Sequence, residues 1–174
     1  MKSSGSPGNF PPIWIVIPTY WGDADAGIYD HPTPLDEGGT LTFLLDSLCK
    51  QDSAPSFSAL ILVSTTQPEY VSQANARIRQ IIAPYNQKLN LYIADIKTAQ
   101  LLDQELQSHG LDLQFASMRG YAAVRNLQLL IPTAMSAEII IAIDDDEILP
   151  ENYLQQATKW IGGNYEGEKI TGVA

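Results

Sequence analysis

Residues 139–150 read Ile-Ile-Ile-Ala-Ile-Asp-Asp-Asp-Glu-Ile-Leu-Pro, and this stretch decides the fold. Five apolar residues in a row predict a strand buried on both faces, as strands of a parallel sheet are. Four acids follow where that strand would end: Asp144, Asp145, Asp146 and Glu147. Ligands of open α/β sheets bind at the carboxyl ends of the strands. The stretch therefore predicts a ligand site at its acids.

Adjacent carboxylates repel one another unless a cation or hydrogen-bond donors compensate their charge. Hard oxygen ligands of this kind suit Mg2+ or Mn2+. A second interpretation stays open, because an acidic run is also typical of a solvated loop. Glu147 and Pro150 would then simply open the next helix, whose amino terminus favours acids. A calcium loop of the EF-hand type fits poorly, because the sixth position of the run is not glycine.

The composition limits the class of protein. The chain has 174 residues and a formal net charge of -10, which predicts one domain and argues against a general binder of nucleic acid or membrane surfaces. Its one cysteine, Cys49, excludes an intrachain disulfide and fits a cytoplasmic location. No apolar run is long enough to span a membrane. Residues 1–12 are rich in Ser, Gly and Pro and are predicted to be a disordered leader, so the expected domain is 13–174.

Apolar runs and helical spacing alternate along the rest of the chain. Strands are predicted at residues 13–18, 59–63, 89–94, 139–143 and 169–174, with a short strand or irregular segment at 111–115. Helices are predicted at residues 41–48, 68–82, 98–109, 119–135 and 151–162. This alternation predicts an α/β fold, with a mostly parallel Rossmann-like sheet flanked by helices. Pro18 is expected to end the first strand, because proline cannot donate to a sheet ladder.

The first strand is followed by a long loop at residues 22–39. Loops of this length in a compact domain are usually functional or disordered. The loop is rich in glycine and proline, and it contains His31 and several acids. We expect it to be mobile without ligand and to become ordered over a bound ligand.

Four segments, in this order along the chain, resemble a known family. They are Ile-Val-Ile-Pro-Thr-Tyr at 15–20, the leucine-rich helix at 41–48, Ala-Val-Arg-Asn at 123–126, and the acids at 144–147 with Pro150 beyond them. Together the segments resemble the nucleotide-sugar-binding half of GT-A fold glycosyltransferases of the family 2 type. An Asp-x-Asp motif alone is a weak signal, whereas its place after this helix and strand is more specific.

The resemblance implies a UDP- or GDP-sugar donor and a divalent metal, Mn2+ or Mg2+. It implies that Asp146 ligates the metal, that Asp144 faces the metal or the ribose, and that Asp145 lies beside them. The other implied nucleotide-sugar contacts are Pro18, Thr19, Tyr20, Arg125 and Asn126. The family's Asp-Asp-Gly-Ser element is replaced here by Ser-Thr-Thr at 64–66. Thr65, or Asp95 at the end of the next strand, is the candidate for that missing contact.

The function implied by the resemblance is sugar transfer from the nucleotide-sugar to an unknown acceptor. The family places its acceptor site and general base after the metal motif, and the sequence stops about 28 residues past Asp146. We therefore expect a donor-binding fragment that transfers poorly, with His31 and Glu147 as the remaining candidates for a base. A nucleotidyltransferase is an alternative, although Pro-Thr-Tyr-Trp stands where such enzymes usually carry a glycine-rich, basic loop. A catalytically inactive binding or interaction module is the other alternative.

Overall fold

The computed structural model describes residues 13–24, 27–51, 56–111 and 116–172. The strands are β1 (Ile13–Trp21), β2 (Phe57–Thr65), β3 (Asn90–Ala94), β4 (Ile139–Ala142), β5 (Asn164–Tyr165) and β6 (Glu168–Lys169). The helices are α1 (Leu41–Leu48), α2 (Val71–Ile82), α3 (Ile96–Ser108), α4 (Tyr121–Ala134) and α5 (Tyr153–Thr158), with 3₁₀ turns at Pro68–Tyr70 and Ala83–Tyr85. The predicted leader, residues 112–115 and residues 173–174 lie outside the described part.

The central sheet has four parallel strands in the order β3-β2-β1-β4, which confirms the predicted α/β, Rossmann-like fold. Side chains of β1 alternate between two apolar layers, as the period of two in a strand requires. Ile13, Ile15 and Ile17 pack with α1 and α2 on one face. Trp14 and Val16 pack with α3 and α4 on the other. The sheet is therefore covered by helices on both faces.

Pro18 does not end the first strand, as the sequence had led us to expect. β1 continues to Trp21 and stays paired with β2 throughout. The carbonyl of Val16 accepts from Ile143 on the β4 side, and residues two apart in a strand point their backbone groups the same way. Pro18 therefore faces the β4 side, beyond the last β1–β4 pair at Ala142, where no ladder donor is needed.

The prediction that the acidic strand is buried on both faces is wrong. β4 stands at the edge of the four-stranded sheet and pairs with β1 alone among the described residues. Ile141 is buried, whereas Ile139 and Ile140 are only half-buried and Ala142 is exposed. An apolar run shows that a segment is suited to a sheet, but it does not distinguish a central strand from an edge strand.

The end of the chain also differs from its prediction. In place of the helix expected at 151–162 the structure has the shorter helix α5. In place of the strand expected at 169–174 it has a separate two-stranded hairpin of β5 and β6. Glu166 and Gly167 form its turn and both have positive φ, as the favoured two-residue hairpin turns require. None of the described helices is long and apolar enough to cross a lipid bilayer.

Candidate functional site

The site lies where the order of the strands reverses. From β1 the chain adds β2 and then β3 on one side, and later returns to place β4 on the other side of β1. Such a switch point opens a crevice at the carboxyl ends of the two diverging strands. A cleft of about 420 Å³ lies there, which we call the switch-point cleft. Its lining comes from the end of β1, the loop after it, the first turns of α1 and α4, and the acids after β4.

Only one of the three predicted residues at the end of β1 reaches the switch-point cleft. Pro18 lies within the sheet, paired with Leu62. Thr19 is buried, donates its hydroxyl to the carbonyl of Leu62 and accepts from the Trp21 indole. Tyr20 lines the cleft. Thr19 therefore stabilises the sheet beneath the cleft, and Tyr20 is the side chain of this segment that a ligand can touch.

Three tyrosine rings form one side of the switch-point cleft. The Tyr20 ring lies nearly parallel to the Tyr121 ring, with centroids 5.6 Å apart and 14° between the planes. Its centroid lies 4.4 Å from that of Tyr29. The Tyr20 hydroxyl is buried and has no hydrogen-bond partner among the described residues, and burial raises its pKa. It therefore stays protonated, and neighbouring groups cover it from solvent.

Arg125 and Asp144 form an ion pair at the inner end of the cleft. Arg125 Nη2 lies 2.6 Å from Asp144 Oδ1 and 2.8 Å from Oδ2. The same guanidinium donates to the Tyr121 hydroxyl at 2.7 Å and to Gln128 Oε1 at 3.2 Å. The carboxylate of Asp144 raises the pKa of Arg125 above its usual range, so Arg125 is a fixed cation.

The two remaining aspartates have no cation beside them among the described residues. Asp145 is largely buried and accepts a hydrogen bond from the Thr40 hydroxyl. Burial, together with repulsion from Asp146 and Asp144, raises the pKa of Asp145 to about 6. Asp146 is exposed in the cleft. Among the described residues, the cleft is lined by five carboxylates and one guanidinium, which are Asp30, Glu37, Asp144, Asp145, Asp146 and Arg125.

These carboxylates fit a divalent cation in part. Within the described ranges, no three His, Cys, Asp or Glu side chains converge to hold an ion on their own. Mg2+ needs only one or two protein carboxylates when substrate phosphates and water complete its shell. Asp146 and Asp145 can supply those oxygens, while Asp144 already has Arg125 as its partner. A cation in this cleft would therefore depend on a second ligand.

The loop after β1 is fastened over the cleft at several points. Thr33 donates to the carbonyl of Tyr20 and accepts from Gly22, so the loop returns alongside the end of β1. Gly22 has a φ of 132°, and a Cβ there would collide with the Thr66 side chain. The buried Tyr29 shares a 2.6 Å hydrogen bond with Ser64 Oγ. These contacts join the loop to β1 and β2, and the expected ordering of the loop over a bound ligand stays a prediction.

Tyr29 also joins this loop to the segment before α4. Its hydroxyl accepts from the backbone of Gly120 at 3.0 Å, and Ser64 donates to the carbonyl of Met118 at 2.6 Å. Ser64 therefore has a structural role at the position where the resembling family carries its base-binding acid. Thr65 is buried and donates to the carbonyl of Gln67, so neither hydroxyl points into the cleft lining.

Two further residues implied by the resemblance lie outside the switch-point cleft. Asp95 caps α3, where its carboxylate accepts from the backbones of Lys97 and Thr98, and it also accepts from the Asn75 amide. Asn126 is exposed on α4 and is not part of the cleft lining. The acid at the end of β3 is therefore a helix cap in this structure.

A second cleft of about 330 Å³ adjoins the first, and we call it the side cleft. It is lined by Arg125, Ala142, Ile143, Asp144, Glu147, Leu149 and Tyr153. Arg125 and Asp144 are the residues that line both clefts. The two candidates for a base are separated, because His31 lines the switch-point cleft and Glu147 lines the side cleft.

The site contains three residues that were not predicted from the sequence: Tyr29, Thr40 and Tyr121. Tyr121 stands four residues before Arg125, a spacing that puts two side chains on one face of a helix. Thr40 directly precedes the predicted helix at 41–48, a position where threonine is typical of a helix cap. Nothing in the local pattern of the loop distinguishes Tyr29, because its role depends on Ser64 and Gly120, which are distant along the chain.

Comparison with known families, with curated proteins and with solved structures gives no match to this chain.

Proposed function

We propose that the chain is a metal-dependent glycosyltransferase whose switch-point cleft binds a nucleotide-sugar, with UDP- and GDP-sugars as the donor class. The observation that carries the proposal is the content of this cleft. Stacked tyrosines, one fixed guanidinium and three consecutive aspartates meet at the carboxyl end of a parallel sheet. Aromatic rings suit a base, and hard carboxylate oxygens suit a cation on a diphosphate.

The charge of the cleft explains why a metal would be needed. With five carboxylates against one guanidinium, the cleft repels a free nucleoside diphosphate. A divalent cation on Asp146 and Asp145 would neutralise the diphosphate as it leaves the sugar. Arg125 would contribute a second positive charge near the same group, where leaving-group charge develops. Tyr20 and Tyr121 would hold the base through their rings.

A binding module without transfer is the second candidate, and one observation favours it. Asp144, an acid that the resemblance assigns to the metal or ribose, is already paired with Arg125 at 2.6 Å. Transfer to an acceptor also requires a base within reach of its hydroxyl. His31 lines the switch-point cleft and Glu147 lines the side cleft, so the two candidates for this base would serve acceptors bound in different clefts.

Product analysis separates these functions. The protein is incubated with Mn2+, a set of UDP- and GDP-sugars and candidate acceptors, and the released nucleotides are identified by chromatography. We expect free UDP or GDP, since even water can slowly accept the sugar. A parallel incubation holds a nucleoside triphosphate and a sugar phosphate with Mn2+, and pyrophosphate released there would instead indicate nucleotidyl transfer. Metal-dependent binding with no product would indicate the binding module.

Two variants that each remove one negative charge are compared in this assay. Asp146→Asn should abolish release, because it removes a carboxylate that would hold the cation. Glu138→Gln should leave release unchanged, because Glu138 is exposed in the turn before β4 and does not line the cleft.

A further inference from the structure

The Arg125–Asp144 ion pair stands between the two clefts. Both side chains line the switch-point cleft and the side cleft, and they are only 31% and 43% exposed. A partly buried charge is costly once its partner is removed, because the remaining charge is poorly solvated. Neither residue can therefore turn to a ligand at low cost unless the other also finds a new partner.

Arg125 is held in place by more than Asp144. Tyr121 and Gln128 accept hydrogen bonds from the same guanidinium. Gln128 is 2% exposed, and its amide donates to the carbonyl of Val16 in β1, so its position is fixed by the sheet. A guanidinium has five N–H donors. If Asp144 turned away, Arg125 would remain at the cleft with donors available for an anion.

We propose that Arg125 is a positioning residue that exchanges partners when ligands bind. A divalent cation held by Asp146 and Asp145 also draws the Asp144 carboxylate away from Arg125, and the released guanidinium takes a phosphate of the nucleoside diphosphate. This inference rests on the proposed function and adds a specific coupling to it. Each ligand alone leaves one charge of the pair without a partner, whereas both together satisfy the two charges. Cation and diphosphate therefore bind with positive cooperativity, and the coupling is reciprocal.

The exchange predicts that one substitution changes the affinities for the cation and for the diphosphate in opposite directions. Arg125→Gln frees Asp144, so we expect Mg2+ alone to bind about 5- to 150-fold more tightly, the usual range of coupling between sites. The same variant should bind nucleoside diphosphate in the presence of Mg2+ more weakly than the unsubstituted protein. Arg125→Lys keeps the charge but lacks the planar set of five N–H donors, and should restore part of the diphosphate affinity. Isothermal titration calorimetry measures each affinity.

A matched control removes the general effect of charge. Arg79→Gln changes the net charge equally, and Arg79 is exposed on α2, outside the lining of both clefts. Both affinities should be unchanged in this variant. If Arg79→Gln tightened Mg2+ binding as much as Arg125→Gln does, the effect would be one of net charge and the exchange would be wrong.

Nuclear magnetic resonance of the arginine side chains observes the exchange directly. The chain has four arginines, so the ¹⁵N guanidinium signals are few and are assigned by substitution. Mg2+ alone should shift the Arg125 signals, and UDP or GDP added afterwards should shift them again. Mg2+-dependent diphosphate binding with unchanged Arg125 signals would overturn the exchange while leaving the proposed function intact. No Mg2+-dependent diphosphate binding in the unsubstituted protein would overturn both.

Discussion

At the scale of single residues, the three aspartates after β4 differ in what surrounds them. Asp144 has a guanidinium at 2.6 Å, while Asp145 is partly buried beside a hydroxyl and Asp146 is exposed. The three consecutive aspartates therefore lie in three different environments. Burial and repulsion raise the pKa of Asp145 to about 6, so in the metal-free protein its charged form is unfavourable.

The raised pKa of Asp145 predicts how the free energy of unfolding depends on pH when EDTA keeps the protein free of metal. The folded protein holds the Asp145 proton up to about pH 6, whereas the unfolded chain loses it near the ordinary value of 3.8. The contribution of Asp145 to stability is therefore present below about pH 4 and is lost as the pH rises to about 6. Asp145→Asn should raise the free energy of unfolding at pH 7 by roughly 2–3 kcal/mol.

Urea unfolding at several pH values measures this effect. The gain from Asp145→Asn should vanish at pH 4, and Glu138→Gln should show no comparable gain at either pH. Equal stability of Asp145→Asn and the unsubstituted protein at pH 7 would mean that the carboxylate is compensated by a group other than Thr40.

At the scale of elements, the cleft is assembled from segments distant in the chain and joined by a few hydrogen bonds. Tyr29 in the loop, Ser64 at the end of β2 and Gly120 before α4 meet at one hydroxyl. An unpaired buried donor costs about 1–3 kcal/mol. The wall of the cleft therefore depends on this junction more than on the local propensities of the loop.

Removing that hydroxyl should loosen the loop. Tyr29→Phe keeps the ring but leaves Gly120 N–H without its acceptor, and should cost roughly 1–3 kcal/mol of stability. Hydrogen exchange should rise at residues 27–39 and 116–120 and stay unchanged in β1 and β2. Tyr165→Phe is the control, because Tyr165 is 69% exposed on the separate hairpin. Unchanged exchange in both segments would show that the loop is held by its packing alone.

At the scale of the whole molecule, the layered fold follows from local patterns, whereas the site depends on contacts that those patterns do not contain. Continuous apolar runs were sufficient to locate β1, β2, β3 and β4, and the acids were correctly expected after the end of β4. The edge position of β4 and the continuation of β1 through Pro18 depend on which strands become neighbours. Asp95 illustrates the same limit, since its use as a helix cap competes with any role in binding.

The central claim is that the acids after β4 bind a nucleoside diphosphate through a divalent cation. Calorimetric titration of UDP and GDP, with Mn2+ and with EDTA, tests it most directly when the unsubstituted protein is compared with Asp146→Asn and Glu138→Gln. We expect the unsubstituted protein to bind UDP or GDP only with Mn2+. Asp146→Asn should lose this binding while circular dichroism shows an intact fold, and Glu138→Gln should bind fully. Binding that persists in Asp146→Asn, or that is equally strong in EDTA, would contradict it.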